Sequence, residues 1–161
     1  MKDQTVINVL LQSLPGVPGV LSICLELLVV YNLRSAEILS AKWSDFKPPK
    51  LLYLRGCKGS NDIVIRDREI LQHINKLPRL HPDLIFYPIT YSMLYHHIKK
   101  NYSHLFDNRF TKKNKKVTHY FRYSAASQFE TAREVTTVLH HASKGSASFY
   151  NKNLKEVKSW R

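Results

Sequence analysis

The run VLSICLELLVVYNL, residues 20–33, constrains this chain more than any other part of it. It is mostly apolar, with Glu26 as its one charged residue, and it follows the turn-forming PGVPG. A helix with no polar face has to be enclosed by the rest of the chain. The run is too short for a membrane span, which needs about 20 apolar residues, and Glu26 interrupts it. It reads as a central core helix ending near Tyr31, with the other elements packed around it.

The flanking segments are patterned to cover such a helix. Residues 3–13 (DQTVINVLLQS) read as a short amphipathic helix, stopped by the Pro-Gly turns at 15–19. Another helix is expected from Ser35, where Ile38, Leu39 and Trp43 keep helical spacing, and Asn32-Leu33-Arg34 forms the corner between them. After KPPK, LLYLRGC is rich in strand formers, KGSND is turn chemistry and IVIR is a second short strand. Together they predict a hairpin with Lys58 at its tip. Residues 67–77 and 90–105 read as helices. From Thr118 the chain reads as helical to about Leu139, with one break, and a last helical piece carries Phe149 and Tyr150. The order predicts a mainly α domain with a small antiparallel β-sheet. A length of 161 residues suits one domain over residues 1–161.

Charge narrows the function. Lys and Arg number 25 against 12 Asp and Glu, a formal charge of +13, while 43% hydrophobic content argues against disorder. A surplus of that size suits a polyanion. Nucleic acid comes first, because a phosphate backbone is neutralised at many points with release of counterions, and an anionic membrane surface second. The run RFTKKNKK places Arg109, Lys112, Lys113, Lys115 and Lys116 within eight residues, as a charged connector expected to track phosphates. Cys24 and Cys57 lie in a chain with no secretory signal pattern, which points to a reducing, intracellular setting. The pairs His96-His97 and His140-His141 are poor metal sites, since adjacent helical residues point about 100° apart, and no metal is expected.

Five separated places hold complementary polar groups: Arg34 at the corner, Lys58 on the hairpin, His119 and Arg122 three apart in THYFR, His141 in LHH, and Tyr150 nine residues later. On a helix, His119 and Arg122 would share a face and could grip one anion. Each residue alone is ordinary; exposed arginines and turn lysines are common. As a set they are the inventory for phosphoryl transfer without a metal or cofactor, with cations for the phosphate oxygens and a phenol as nucleophile.

Their order resembles that of the tyrosine recombinases of the phage-integrase family. YNLRSAEILSAKWSDF, residues 31–46, resembles the family's first arginine motif, T-G-L-R-x-S-E-L-L-x-L-x-W-x-D, and GCKGSNDIVI resembles its β-hairpin lysine segment. HYFR matches the H-x-x-R box, and VLHHASKGSASFY resembles the L-G-H…Y ending. The likeness runs from about Pro15 to Lys152. It implies the catalytic-domain fold of that family and strand cleavage and rejoining on double-stranded DNA. It implies Arg34 and Arg122 as phosphate clamps, Lys58 as general acid, His119 as acid–base partner, His141 as a donor to the phosphate and Tyr150 as nucleophile. Glu37, at the motif's Glu, is expected to orient rather than to react.

The chain departs from the pattern where His140 replaces the usual Gly, where Tyr123 follows the box arginine, and in a shortened interval between Arg122 and His141. The family's N-terminal core-binding domain is expected to be absent. Self-association on DNA is expected through the C-terminal NLKEVKSWR, in which Leu154, Val157 and Trp160 keep near-helical spacing. Two other readings share these residues: a type IB topoisomerase-like enzyme that relaxes supercoils, and a non-catalytic DNA-binding relative.

Overall fold

The computed structural model describes residues 4–57, 59–106, 117–122 and 155–156. Its first helix, α1 (Gln4–Ser13), gives way to a 3-10 turn at Leu14–Gly16, and α2 (Gly19–Val30) follows. Every residue of α2 from Ile23 to Val30 is buried, Glu26 included. That is the enclosure its sequence demands. No described helix is long and apolar enough to cross a membrane.

A short α3 (Ser35–Leu39) leaves the corner after α2. The apolar spacing that suggested helix as far as Trp43 ends earlier. Ser40 closes α3, and Trp43 sits in a separate 3-10 turn, Trp43–Asp45. Tertiary bonding explains the difference. The Trp43 N–H donates to the carbonyl of Asp83 at 2.9 Å, and the Ile85 N–H to that of Ala41 at 3.0 Å, so residues 41–43 pair with a distant segment instead of continuing the helix. Arg79 lies over the Trp43 ring at 4.5 Å and covers its outer face.

The sheet runs in the order β1 (Phe46–Lys47), β2 (Leu51–Leu54), β3 (Ile63–Ile65), β4 (Lys155–Glu156). The first three strands are antiparallel, with Leu52 opposite Ile65 and Leu54 opposite Ile63. β3 is buried along its whole length, as suits a strand flanked on both sides. Its other neighbour is β4, which pairs parallel, Ile63 with Lys155 and Val64 with Glu156. The helical spacing read in the C-terminal segment therefore does not hold at these two residues, which extend the chain's own sheet. The very short β1 was not foreseen.

Side-chain caps fix the starts of the next two helices. Asp67 accepts from the N–H groups of Glu69 and Ile70 at 3.0 and 3.3 Å and starts α4 (Arg68–Asn75). Thr90 accepts from Met93 at 3.2 Å and starts α5 (Tyr91–Asn101). Both helices present apolar rows to the core: Ile70, Leu71 and Ile74 from α4, Leu94 and Ile98 from α5.

Candidate active site

The end of α2 sets the geometry of the site. Asn32 takes a left-handed φ of 55°, which stops the helix and which Asn tolerates better than most residues. Its carbonyl then accepts from Nη1 of Arg122 at 2.6 Å. Arg122 is buried, only 6% exposed, in a helical segment that follows the 3-10 turn Val117–His119.

Packing holds that segment in place. Tyr120 and Phe121 are both fully buried, and Tyr120 stacks on Phe106 with ring centroids 3.8 Å apart and planes 6° apart. Phe121 meets Phe106 edge-on at 6.3 Å. The aromatic pair inside HYFR is thus the anchor, flanked in sequence by the polar His119 and Arg122. His119 is half-buried and Arg122 buried. The Thr118 hydroxyl is buried with no hydrogen-bond partner among the described residues.

Two residues after Asn32, Arg34 reaches in another direction. Its Nη1 donates to the carbonyl of Cys57 at 2.9 Å and also to the Ser60 hydroxyl. Cys57 and Ser60 are the ends of the hairpin turn, closed by Ser60 N–H to Cys57 carbonyl at 3.1 Å, with Gly59 at φ 83°. Lys58 lies in sequence between these anchored residues and outside the described ones.

Glu37 completes the junction. One carboxylate oxygen accepts from the Arg34 N–H at 2.8 Å and the other from the Cys57 N–H at 3.3 Å. It is 2% exposed. A single buried carboxylate therefore caps α3 and ties it to the hairpin, in keeping with an orienting part. The hairpin is braced again below the turn, where Asp62 accepts from the Gly56 N–H at 2.8 Å and from the Tyr53 hydroxyl. That hydrogen bond is the main cause that raises the Tyr53 pKa.

The electrostatics favour an anion. Burial first, and the neighbouring charge of Arg34 second, lower the Arg122 guanidinium from its ordinary value to about 10, against a counter-effect of Glu37 and Cys57. Two cations share this space with one buried carboxylate. Bringing like charges together costs free energy that a bound phosphate would relieve.

The fold therefore brings together Arg34, Arg122 and the turn that contains Lys58, and it sets His119 three residues before Arg122. Lys58, His141 and Tyr150, with Arg109, Lys112, Lys113, Lys115 and Lys116, lie outside the described residues. Sequence reasoning missed the Asn32 carbonyl as a fixed partner of Arg122. Its signal was an Asn directly after a helical run, where left-handed geometry is common. Among the described residues no group of three His, Cys, Asp or Glu side chains is placed to hold a metal ion.

No protein-family model matches the sequence, and no curated protein matches it. Solved structures do. The fold is similar to that of the XerA recombinase, at 17% identity and a TM-score of 0.54, over 92% of this chain and 58% of that one. It is similar also to the XerH site-specific recombinase bound to its difH substrate in a pre-cleavage complex, at 18% identity and a TM-score of 0.59, over 89% and 47% of the two chains. The chain thus spans about half the length of these structures. Its fold, mainly helical with a small sheet, is that of tyrosine-recombinase structures.

Proposed function

We propose that this fold carries a DNA strand-transfer activity, in which duplex DNA is cut and rejoined through a 3′-phosphotyrosine. The observation that carries the reading is the meeting of three sequence-distant boxes. Arg122 is bonded to the corner that precedes Arg34, and Arg34 is bonded to both ends of the turn around Lys58. The XerH structure, a relative in fold, was solved on its DNA substrate.

In this reading the two guanidiniums hold the non-bridging oxygens of the scissile phosphate, where charge grows as the phosphorus becomes five-coordinate. The Tyr150 phenol oxygen attacks phosphorus as its proton passes to a base, for which His119 is assigned. The bond from phosphorus to the 5′ oxygen breaks, and Lys58 protonates the leaving oxygen. His141 donates to the phosphate. Attack of a 5′ hydroxyl on the phosphotyrosine reverses these steps. One phosphodiester is exchanged for another, so the cycle calls for neither ATP nor a metal.

A covalent-trapping assay tests this. The protein is mixed with duplex DNA nicked beside the expected cleavage point, so that the short cleaved fragment diffuses away, and then denatured. Protein-linked DNA that vanishes in Tyr150→Phe is the expected result. Retarded DNA with no adduct on the native element's ends would instead identify a binding protein, and relaxation of plasmids without a cognate site would identify a topoisomerase-like enzyme.

A further inference from the structure

At the other end of the sheet from the Lys58 turn lies a cleft of about 600 Å³. It is lined by Pro48, Pro49 and Lys50 from the turn before β2, by Arg66 just after β3, and by Arg68, Leu71, Gln72 and Asn75 along one face of α4. The four residues of β2, Leu51–Leu54, span about 13 Å at about 3.3 Å per residue between it and the loop that carries the hairpin turn. Three cations and two amides surround a floor of two prolines and a leucine, and none of the described residues of the lining carries a carboxylate. The carboxylate of Glu69, on the same helix, faces a different cavity, together with His73.

The shape and lining narrow the ligand. A concave site of this size cannot admit a duplex about 20 Å wide, so it is not a continuation of the DNA surface. None of the described residues of the lining is aromatic, so these residues offer no stacking platform of the kind that unpaired bases use. A second copy of this chain is disfavoured by its charge of +13, and the chain's own last eight residues, LKEVKSWR, carry three Lys or Arg against one Glu. What complements the cleft is a short segment with carboxylates on either side of an aliphatic side chain. The aliphatic group would rest on Pro48, Pro49 and Leu71, and the carboxylates would meet Lys50, Arg66 and Arg68.

We propose that this cleft is a docking site for an acidic, leucine-bearing segment of a partner protein, separate from the strand-transfer site. Such a site would let a second protein hold this one while its DNA face stays open.

The test uses the full chain and a fluorescein-labelled peptide, Gly-Ser-Glu-Glu-Leu-Glu-Glu-Ser-Gly, read by fluorescence anisotropy. Because a chain of this charge attracts any polyanion, the comparison has to be positional. Removing both guanidiniums in Arg66→Ala with Arg68→Ala should weaken peptide binding at least tenfold. Lys99→Ala with Lys100→Ala, at the end of α5, should change it less than twofold. Replacing Leu by Ser in the peptide should weaken it several-fold. Lys50→Ala, on an exposed turn, gives an independent variant should the double change impair folding, and it should weaken binding about threefold. Equal losses from both paired variants, or indifference to the leucine, would reduce the cleft to general charge attraction and overturn the proposal. Stronger binding of a single-stranded oligodeoxynucleotide, lost in the Arg66, Arg68 variant, would overturn it in favour of a nucleic-acid site.

Discussion

Nη1 of Arg122 and the carbonyl of Asn32 meet at 2.6 Å across a sequence separation of 90 residues. The bond fixes the direction of the guanidinium from behind and so pre-orients it for an anion. Removing it leaves a buried carbonyl without its donor. Arg122→Gln should lower unfolding free energy by about 2–3 kcal/mol, measured by urea denaturation, and slow adduct formation by about 10²–10³-fold. Arg122→Lys keeps the charge without the planar fork, and should recover stability more than rate. Equal rates for Lys and Arg would show that charge alone matters at this position.

The burial of Arg122 also predicts a pH signature. Its folded value is lowered from that of an ordinary guanidinium to about 10. Below pH 10 both the folded and unfolded chains carry this proton, so the burial cost is constant. From about 10 up to the ordinary guanidinium value the folded chain has lost a proton that the unfolded chain keeps, and the group's share of stability rises with pH. The stability gap between wild type and Arg122→Gln should therefore be the same at pH 7 and pH 9 and widen above pH 10. Urea melts of both proteins across that range check it; a gap that shrinks above pH 10 has the wrong sign for a lowered value.

Glu37 offers a cleaner separation of position from charge. Its two oxygens serve two backbone donors, Arg34 N–H and Cys57 N–H. Glu37→Gln keeps the shape but turns one acceptor into a donor facing an N–H, and it removes the carboxylate that offsets Arg34 and Arg122. We expect a loss of about 1–3 kcal/mol in stability and a larger relative loss in cleavage than in DNA affinity, since the hairpin and Arg34 lose their common anchor. Gel retardation and adduct yield on the same preparations measure the two.

Residue types and spacing made the fold class legible: the central helix from an apolar run, the hairpin from strand formers around KGSND, α4 and α5 within the helical stretches read at 67–77 and 90–105. The three boxes were legible because they are short and ordered. What the sequence did not disclose depends on distant partners. Trp43 kept helical spacing, yet residues 41–43 pair with residues 83–85, and no local pattern announces that pairing. Tyr120 and Phe121 lie inside a chemical motif but serve as core anchors through Phe106, which sits outside the motif. Lys155 and Glu156 have little strand propensity, and they pair because β3 offers an edge.

The hairpin turn shows which of its glycines is irreplaceable. A Cβ on Gly56 would stand 2.2 Å from the Ser60 carbonyl oxygen and 2.6 Å from that of Asn61, both backbone atoms that cannot swing aside. A Cβ on Gly59 meets open space, and the cost there is only the left-handed φ of 83°. Gly59→Ala should cost about 1 kcal/mol. Gly56→Ala should cost clearly more, since the turn itself must move away from Arg34. Thermal melts give the order, and limited proteolysis should cut Gly56→Ala first within residues 55–62; a reversed order would mean that conformation, not space, governs this turn.

The basic run tests the interface rather than the chemistry. Arg109, Lys112, Lys113, Lys115 and Lys116 lead directly into the segment that carries His119 and Arg122, so a duplex held by the two arginines passes close to them in our reading. If these side chains neutralise phosphates, each contact releases counterions and adds about 0.9 to the slope of log affinity against log salt. Replacing Lys112, Lys113, Lys115 and Lys116 by Ala should then flatten that slope by up to about 3.6 if each lysine makes one contact. The loss should be the same for cognate and random duplexes, because phosphate contacts carry no sequence information. Anisotropy titrations between low and moderate salt would decide it. An unchanged slope would make the run a solvated loop and leave the arginines to hold the DNA with other cations of the surface.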